Sequence, residues 1–243
     1  MPRRLFVAWQ DSKSRSWHTV AVLSRVDKEY ELSFTKGAKR LQPVLKNLFG
    51  LDPEFRYRFS ALIPAFKNKI PPRSRSDYST LSRWLGVTEH DDEMAVLAKF
   101  GQLQSNEPII LYPEPVTENG LYEFEFFVHS LRYMHPDALD WCRAAKAGAK
   151  LNPMLDVKNE VDPFAVAVRS TPGCILLGYV PTFFARDASL LLRRPEVADK
   201  AEIHVLEANP EAPAQMMLRC KFSSICPNDF VPLDSENFQL MRA

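Results

Sequence analysis

The sequence predicts an α+β protein with two domains: a small antiparallel sheet with helices, followed by a partly open β-barrel with two short helices. Short runs of apolar or alternating residues, separated by polar turns, recur along the 243 residues and are typical of antiparallel strands. Other stretches place apolar residues at helical spacing. A hydrophobic content of 46% is enough for a core and excludes a wholly disordered chain.

The N-terminal part begins with three predicted strands, at 4–10, 18–24 and 29–34. Leucine and valine residues at helical spacing then predict a helix over 38–48. The segment 55–63 repeats this spacing, and Pro64 breaks it.

Two further helices are predicted from their end signals. Asp77 is the expected N-cap of a helix that runs through Trp84 and ends at Gly86. The acidic residues 91–93 suit the positive end of a second helix, which stops near Gly101. Three adjacent acids on one turn point in different directions, so we interpret them as a cap and not as a metal site.

A turn-rich stretch at 113–120 follows a strand predicted over 108–113 and separates two domains, which we place at 1–115 and 120–243. Many short strands and two brief helices are predicted beyond it, a combination that favours a barrel. The strands are 121–128, 151–157, 164–168, 174–180, 201–207 and 215–222, and the helices are 136–146 and 181–193.

The formal charge of +1 conceals a basic first part and an acidic remainder. Residues 1–83 contain 17 Lys and Arg against 7 Asp and Glu, whereas residues 84–243 contain 14 against 23. The basic part is suited to a nucleic-acid strand, to the acidic part of the chain or to an acidic partner. Its cations interleave with aromatic rings, which indicates either a track for a strand or core rings beside a solvated face. These residues are Phe55, Arg56, Tyr57, Arg58, Phe59, Phe66, Lys67, Lys69, Arg73, Arg75 and Tyr78.

Several classes of protein lack their sequence signals here. With 8 Gly, the chain contains neither the glycine-rich dinucleotide motif nor the P-loop motif, so no cofactor is predicted. The 4 Cys are not in C-x-x-C spacing, which disfavours a closed zinc site and indicates reduced thiols in a cytoplasmic protein. No apolar run approaches the roughly 18 residues of a membrane-spanning helix, and the short first strand is not a signal peptide.

An ordered set of short motifs in the second domain resembles the HIRAN domain family. It starts with the segment His129–Tyr133 and continues with Asn159, Asp162 and an Ala-Val-Ala-Val strand at 165–168. It ends with Gly-Tyr-Val-Pro at 178–181, which leads into a predicted helix. The resemblance spans about 65 residues and implies a small OB/SH3-like barrel of a family that includes binders of the 3′-hydroxyl end of single-stranded DNA.

The resemblance assigns DNA-binding roles to Arg132, Tyr133, Asn159 and Asp162, and Tyr179 is a candidate to replace a ring that the family pattern has and this chain lacks. The alternative for Arg132 is an ordinary surface residue, and for Tyr133 a partly buried core residue. Arginine suits a phosphate, a tyrosine ring can stack on a base, and an aspartate can accept a hydrogen bond from a 3′-hydroxyl. Asparagine and aspartate are also common turn residues, so they can serve the turn and the ligand together.

Two further cations and two departures from the family pattern belong to this hypothesis. Lys158 and Arg186 are candidates for additional phosphate contacts. Val161 replaces an aromatic residue of the DNA-end binders, and Tyr179 stands where a eukaryotic relative has histidine.

The first domain resembles the N-terminal subdomain of HipA-type kinases. The resemblance rests on the small sheet, Phe59–Pro64, Trp84-Leu85-Gly86, and Val96–Gly101. It implies a protein that restrains a HipA-like kinase, as part of a bacterial toxin–antitoxin or defence and repair operon.

Three hypotheses of function follow. The first is a non-catalytic protein that binds single-stranded DNA or 3′ ends, because no motif of a hydrolase, kinase or metalloprotease is present. The second is the antitoxin-like restraint of a kinase. The third is a metal-dependent nuclease that uses Asp156, Glu160 and Asp162.

Overall fold

The computed structural model describes residues 4–14, 16–103 and 108–241. They form two compact units: one comprises the chain up to Glu114 together with the segment from Leu233 onward, and the other comprises Pro115–Pro232. Each unit contains one antiparallel sheet with helices, which confirms the α+β class. The C-terminal segment is part of the first unit, where Leu240 pairs with Thr35, whereas the predicted limits assigned it to the second domain.

The first unit has a five-stranded sheet in the order β4-β3-β2-β1-β5. The strands are β1 (Arg4–Gln10), β2 (Trp17–Val26), β3 (Glu29–Phe34), β4 (Tyr57–Phe59) and β5 (Ile109–Pro113). Strand β1, which lies between β2 and β5, is buried along most of its length and consists almost wholly of apolar residues. The three strands predicted at the N-terminus are therefore present, with β2 longer than expected.

The segment 55–63 is not the helix that its spacing suggested. Tyr57 and Phe59 pair with β3, and their rings stack at 6.1 Å on one face of β4. The period of two in this short strand prevails over the helical spacing, and Pro64 starts a helix instead of ending one.

The helices of the described first unit are α1 (Gln42–Phe49), α2 (Pro64–Lys67), α3 (Tyr78–Trp84) and α4 (Glu93–Phe100). Asp92 caps α4 as predicted, since its carboxylate accepts from the amide of Ala95 at 2.8 Å. Asp77 precedes α3 but does not cap it, because its carboxylate pairs with the guanidinium of Arg75. The ion pair thus replaces the expected cap.

The second unit has a seven-stranded sheet in the order β10-β9-β8-β11-β12-β7-β6. The strands are β6 (Val116–Glu118), β7 (Leu121–Phe127), β8 (Lys150–Leu155), β9 (Val166–Ser170), β10 (Leu176–Tyr179), β11 (Glu202–Ala208) and β12 (Leu218–Ile225). Its helices are α5 (Pro136–Ala144), α6 (Thr182–Leu192) and α7 (Pro195–Ala198). On α6, the Phe184 ring stacks on Phe124 at 4.4 Å and contributes to the core.

The two ends of this sheet meet without closing a complete barrel. Two backbone hydrogen bonds, of 2.9 and 3.0 Å, join His129, just after β7, to Tyr179 at the end of β10. Gly178 permits this approach: its φ is +145°, and a Cβ there would lie 2.2 Å from the carbonyl oxygen of His129. This bridge joins the edge strand β10 to the segment that follows β7, the neighbour of the other edge strand β6, and the sheet does not close into a barrel.

In the described ranges, the longest helix is the eleven-residue α6, and none meets the length and hydropathy needed to cross a bilayer.

Candidate nucleic-acid interface

Arg132 and Tyr133 lie on a single 3₁₀ turn, Leu131–Tyr133, that follows the His129 bridge. Leu131 is buried and anchors the turn, whereas the Tyr133 side chain is 69% exposed. The Arg132 guanidinium lies 4.5 Å from the centroid of the Tyr133 ring and also donates to its hydroxyl. The pair forms an exposed, positively charged aromatic surface on this turn.

Asn159 and Asp162 lie in the loop between β8 and β9 and organise it. The Asn159 side-chain oxygen accepts from the amides of Val161 and Asp162, each at 3.0 Å. One oxygen of Asp162 accepts from the amide of Phe164 at 2.9 Å. Asn159 is thus engaged in the turn, while its neighbour Asp162 holds the loop with only one of its two carboxylate oxygens.

Asp156 connects this loop to Tyr179. Its Oδ2 accepts a hydrogen bond from the Tyr179 hydroxyl and another from the side-chain nitrogen Nδ2 of Asn159, both at 3.0 Å. These two hydrogen bonds lower the pKa of Asp156, the one from Asn159 most. Burial, and then the bond to Asp156, raise the pKa of Tyr179. Tyr179 is therefore held neutral with its ring fixed against the loop.

Tyr179 also links the two groups of predicted residues. Its backbone pairs with His129, and the Leu131–Tyr133 turn lies next to β10, with Cα atoms within 8 Å. Its side chain reaches Asp156 and the loop that contains Asn159. Both the Arg132–Tyr133 turn and the Asn159 loop are therefore connected to one tyrosine. We call this arrangement the Tyr179 site.

Three cations near the Tyr179 site lack a carboxylate partner among the described residues, unlike most other cations of the second unit. Among the described residues, no carboxylate lies within 4.0 Å of the charged groups of Arg132, Lys158 or Arg169. Most other cations of the unit are paired: Arg143 with Asp140, Lys150 with Glu202, Arg194 with Asp229, Arg219 with Glu125 and Lys221 with Glu123. The positive charge at the site thus remains available to an anion.

Arg186 is the last of the predicted DNA-binding residues, and Val161 is the position where the sequence departs from the family pattern. The Arg186 guanidinium lies 5.6 Å from the centroid of Phe164, at the far end of the loop, and 4.0 Å from Asp187. Val161 is 93% exposed at the loop tip. An apolar side chain therefore projects into solvent where the family pattern has a ring.

His129 lies beneath the site. Its ring contacts Phe183 edge-on at 6.1 Å, and although part of the residue is exposed, burial of the imidazole lowers its pKa to about 4. Burial also raises the pKa of Cys142 to about 12, which makes thiol chemistry at this position unfavourable.

Two of the three acidic residues proposed for a nuclease, Asp156 and Asp162, form hydrogen bonds in and around the loop. Asp156 binds Tyr179 and Asn159, and Asp162 binds a backbone amide. In the described part of the chain, no three His, Cys, Asp or Glu side chains are grouped so as to hold a metal ion.

The basic aromatic segment of the first unit is largely engaged in structure. Phe66 is fully buried, and the Lys69 ammonium donates to the carbonyl of Ile109 at 2.8 Å. Arg56 and Arg58 both pair with Glu31. Among its rings, Phe55 remains 60% exposed. This segment resembles core rings beside paired surface cations more than a continuous track.

Asp156 in the loop, and Arg169 on β9 next to the Tyr179 site, were not among the predicted DNA-binding residues. Asp156 stands three residues before Asn159, a spacing that suits a side-chain hydrogen bond across a turn. Arg169 alternates with buried Val168 on β9, so its outward position follows from strand periodicity.

No protein-family model matches the chain, and no curated protein matches it. Two solved structures are distantly similar. One is a structural-genomics protein from Lactobacillus plantarum, with a TM-score of 0.34 and 14% identity over 44% of this chain and 100% of that chain. The other is the HIRAN domain of human HLTF, with a TM-score of 0.30 and 14% identity over 44% of this chain and 79% of that chain. Neither name mentions a kinase, so the HipA-like resemblance of residues 1–115 has no support from these comparisons and stays a prediction.

Proposed function

We propose that the second unit is a non-catalytic module that binds the 3′-hydroxyl end of single-stranded DNA at the Tyr179 site. The observation that carries this proposal is that Arg132 and Lys158, which adjoin the Tyr179 site, have no carboxylate partner among the described residues. A site that binds a single strand needs positive charge that can contact the phosphates and aromatic rings on which the bases can stack.

Tyr133 provides the stacking surface. Its ring is 69% exposed and is backed by the Arg132 guanidinium, so a base can stack on it while the cation contacts the adjacent phosphate. Stacking of one base on an aromatic residue contributes about 1–3 kcal/mol. It does not depend on base identity, because every base has a π-face.

Asp162 provides selectivity for the end. One of its oxygens holds the Phe164 amide, and among the described residues no hydrogen-bond donor occupies the other. A terminal hydroxyl can donate to that oxygen, whereas a terminal phosphate would be repelled by the carboxylate.

Binding is favoured over catalysis by how the polar groups are used. The side chains of Asp156 and Asn159 form hydrogen bonds with Tyr179 and within the loop, and these bonds fix the shape of the site. Groups held in this way can position a ligand.

Fluorescence anisotropy with short oligothymidylates that end in a 3′-hydroxyl or a 3′-phosphate tests the proposal. We expect the hydroxyl form to bind about tenfold more tightly, which corresponds to about 1.4 kcal/mol. Asp162→Asn keeps the acceptor for Phe164 but removes the charge, so the preference should shrink towards unity. Glu160→Gln, an equal loss of charge at an exposed neighbour, should preserve it. Negligible binding of both oligonucleotides at low salt would refute the proposal.

A further inference from the structure

The outer surface of the second sheet has two chemically different parts. On β7, β11 and β12 the outward side chains form ion pairs, among them Lys221 with Glu123 at 2.8 Å and Arg219 with Glu125 at 2.9 Å. On β8, β9 and β10 the outward positions are mostly uncharged. This second part is the apolar outer face, formed by Asn152, Met154, Ala167, Arg169, Leu176 and Tyr179, of which Ala167 is itself buried.

Strand register places these six residues on one side of the sheet. Met154 is opposite Ala167, which is opposite Tyr179, and Asn152 is opposite Arg169, which is opposite Leu176. The alternate residues, such as Leu151, Val166 and Val168, are fully buried on the other side. The apolar outer face thus continues directly from the Tyr179 ring across three strands, over about 10 Å.

Apolar side chains are exposed on this face. Met154 is 40% exposed and Leu176 is 36% exposed, and beside them Val157 at the start of the loop is 69% exposed. A sheet surface facing water ordinarily carries polar side chains, as the ion-paired part of this same sheet does. The contrast within one sheet indicates that the apolar outer face meets a ligand.

Arg169 gives this face its charge. Its guanidinium donates to the Met154 sulfur at 3.1 Å and to the carbonyl of Cys174 at 3.3 Å. Among the described residues no carboxylate lies within 4.0 Å of it, so the cation is held in place without being neutralised. A fixed cation beside apolar side chains complements a strand of phosphates and bases.

We infer that the apolar outer face binds the nucleotides that precede the 3′ end, as a continuation of the Tyr179 site. The inference rests on the proposed function, because it extends the same strand from the same tyrosine. Arg169 contacts a phosphate, and Met154 and Leu176 contact bases or sugars. The protein then binds a longer oligonucleotide more tightly than a short one that reaches only the Tyr179 site.

The test measures binding of 3′-hydroxyl oligothymidylates from about two to about eight nucleotides, the range of a single-strand site on a small barrel. For the wild-type chain we expect about a tenfold gain from the shortest to the longest. Arg169→Gln and Met154→Ser should each remove most of this gain and leave the affinity for the shortest unchanged. Lys221→Gln makes the same charge change on the ion-paired part of the sheet and should keep the full gain. Thermal unfolding confirms that each variant is folded.

The outcomes separate this inference from the proposed function. If short ends bind but length adds nothing, or if the variants keep the gain, the apolar outer face is not a DNA surface and the Tyr179 site still is. If only long strands bind, without preference for the end and with sensitivity to Arg169→Gln, the apolar outer face is a DNA surface but does not continue an end-binding site, and the end-binding function fails. If no oligonucleotide binds, or if the variants change only the oligomeric state in light scattering, the inference is wrong.

Discussion

The hydroxyl group of Tyr179 donates a hydrogen bond of 3.0 Å to Oδ2 of Asp156. This bond joins the end of β10 to the first residue of the β8–β9 loop, two segments that are 23 residues apart in sequence. The same oxygen accepts from Asn159, whose side chain holds the amides at the loop tip. Tyr179 and the loop therefore form one hydrogen-bonded unit.

Removing this bond should loosen the loop. Tyr179→Phe keeps the ring but loses the hydroxyl, and we expect the free energy of unfolding to fall by about 1 kcal/mol. Asp156→Ala leaves two donors without their acceptor and should cost about 1–3 kcal/mol. Urea denaturation of the two single variants and of the double variant measures the coupling. Strictly additive losses would show that the hydrogen bond contributes nothing.

The bridge between His129 and Tyr179 should depend on Gly178. In Gly178→Ala the new Cβ would lie 2.2 Å from a backbone oxygen, so we expect a loss of more than about 3 kcal/mol in urea denaturation. Gly173→Ala is the matched control, since its φ is also positive, at +100°, but the nearest atom is 3.7 Å away. Equal losses in the two variants would mean that backbone strain alone, and not the close approach, requires glycine at 178.

Much of the fold could be predicted from local patterns. The strands at 4–10 and 29–34 coincide with β1 and β3 because a continuous apolar run marks β1, partial alternation marks β3, and polar turns mark their ends. The failures were segments where a specific partner decides the outcome. β4 exists because Tyr57 and Phe59 pair with the distant strand β3, and Asp77 does not cap α3 because it pairs with its near neighbour Arg75.

The residues of the candidate site could be predicted from the sequence, but the hydrogen bonds and strand pairings that connect them could not. Motifs place Arg132, Tyr133, Asn159, Asp162 and Tyr179 in order, but a sequence does not show which oxygen binds which donor. Asp156 and Arg169 acquire their roles from strand pairing and loop closure, which depend on the assembled sheet.

Stability should depend on pH through His129. Its folded pKa of about 4 lies below the ordinary value of 6.5, so the unfolded chain binds the proton first as the pH falls. Stability is then lost between about pH 6.5 and 4, and this residue has no further effect at lower pH. From pH 7 to pH 5 we expect a loss of about 2 kcal/mol in urea denaturation.

His129→Phe provides the comparison for this prediction. The variant keeps a ring beside Phe183 and has no titrating group, so the difference between wild-type and variant stability should decrease by that amount from pH 7 to pH 5. Parallel pH profiles for the two proteins would contradict the buried, neutral state of His129.

The contribution of Arg132 should appear in the salt dependence of DNA binding. Loss of one phosphate contact to a single strand lowers the slope of log affinity against log salt by about 0.7. Arg132→Ala should show this change, measured by anisotropy at several salt concentrations. Arg143→Ala removes a cation that is paired with Asp140 on α5 and should leave the slope unchanged. The same slope for Arg132→Ala and the wild type would exclude a phosphate contact.

The most direct measurement is an NMR titration of the labelled protein with a short 3′-hydroxyl oligothymidylate. The backbone amides of Tyr133, Val161, Asp162 and Tyr179 should shift together and saturate at one concentration, because they surround one ligand. Amides of β6 and of the ion-paired part of the sheet should not move. Shifts confined to the first unit, or absent from the Tyr179 site at saturating DNA, would contradict the proposal that this site binds the strand end.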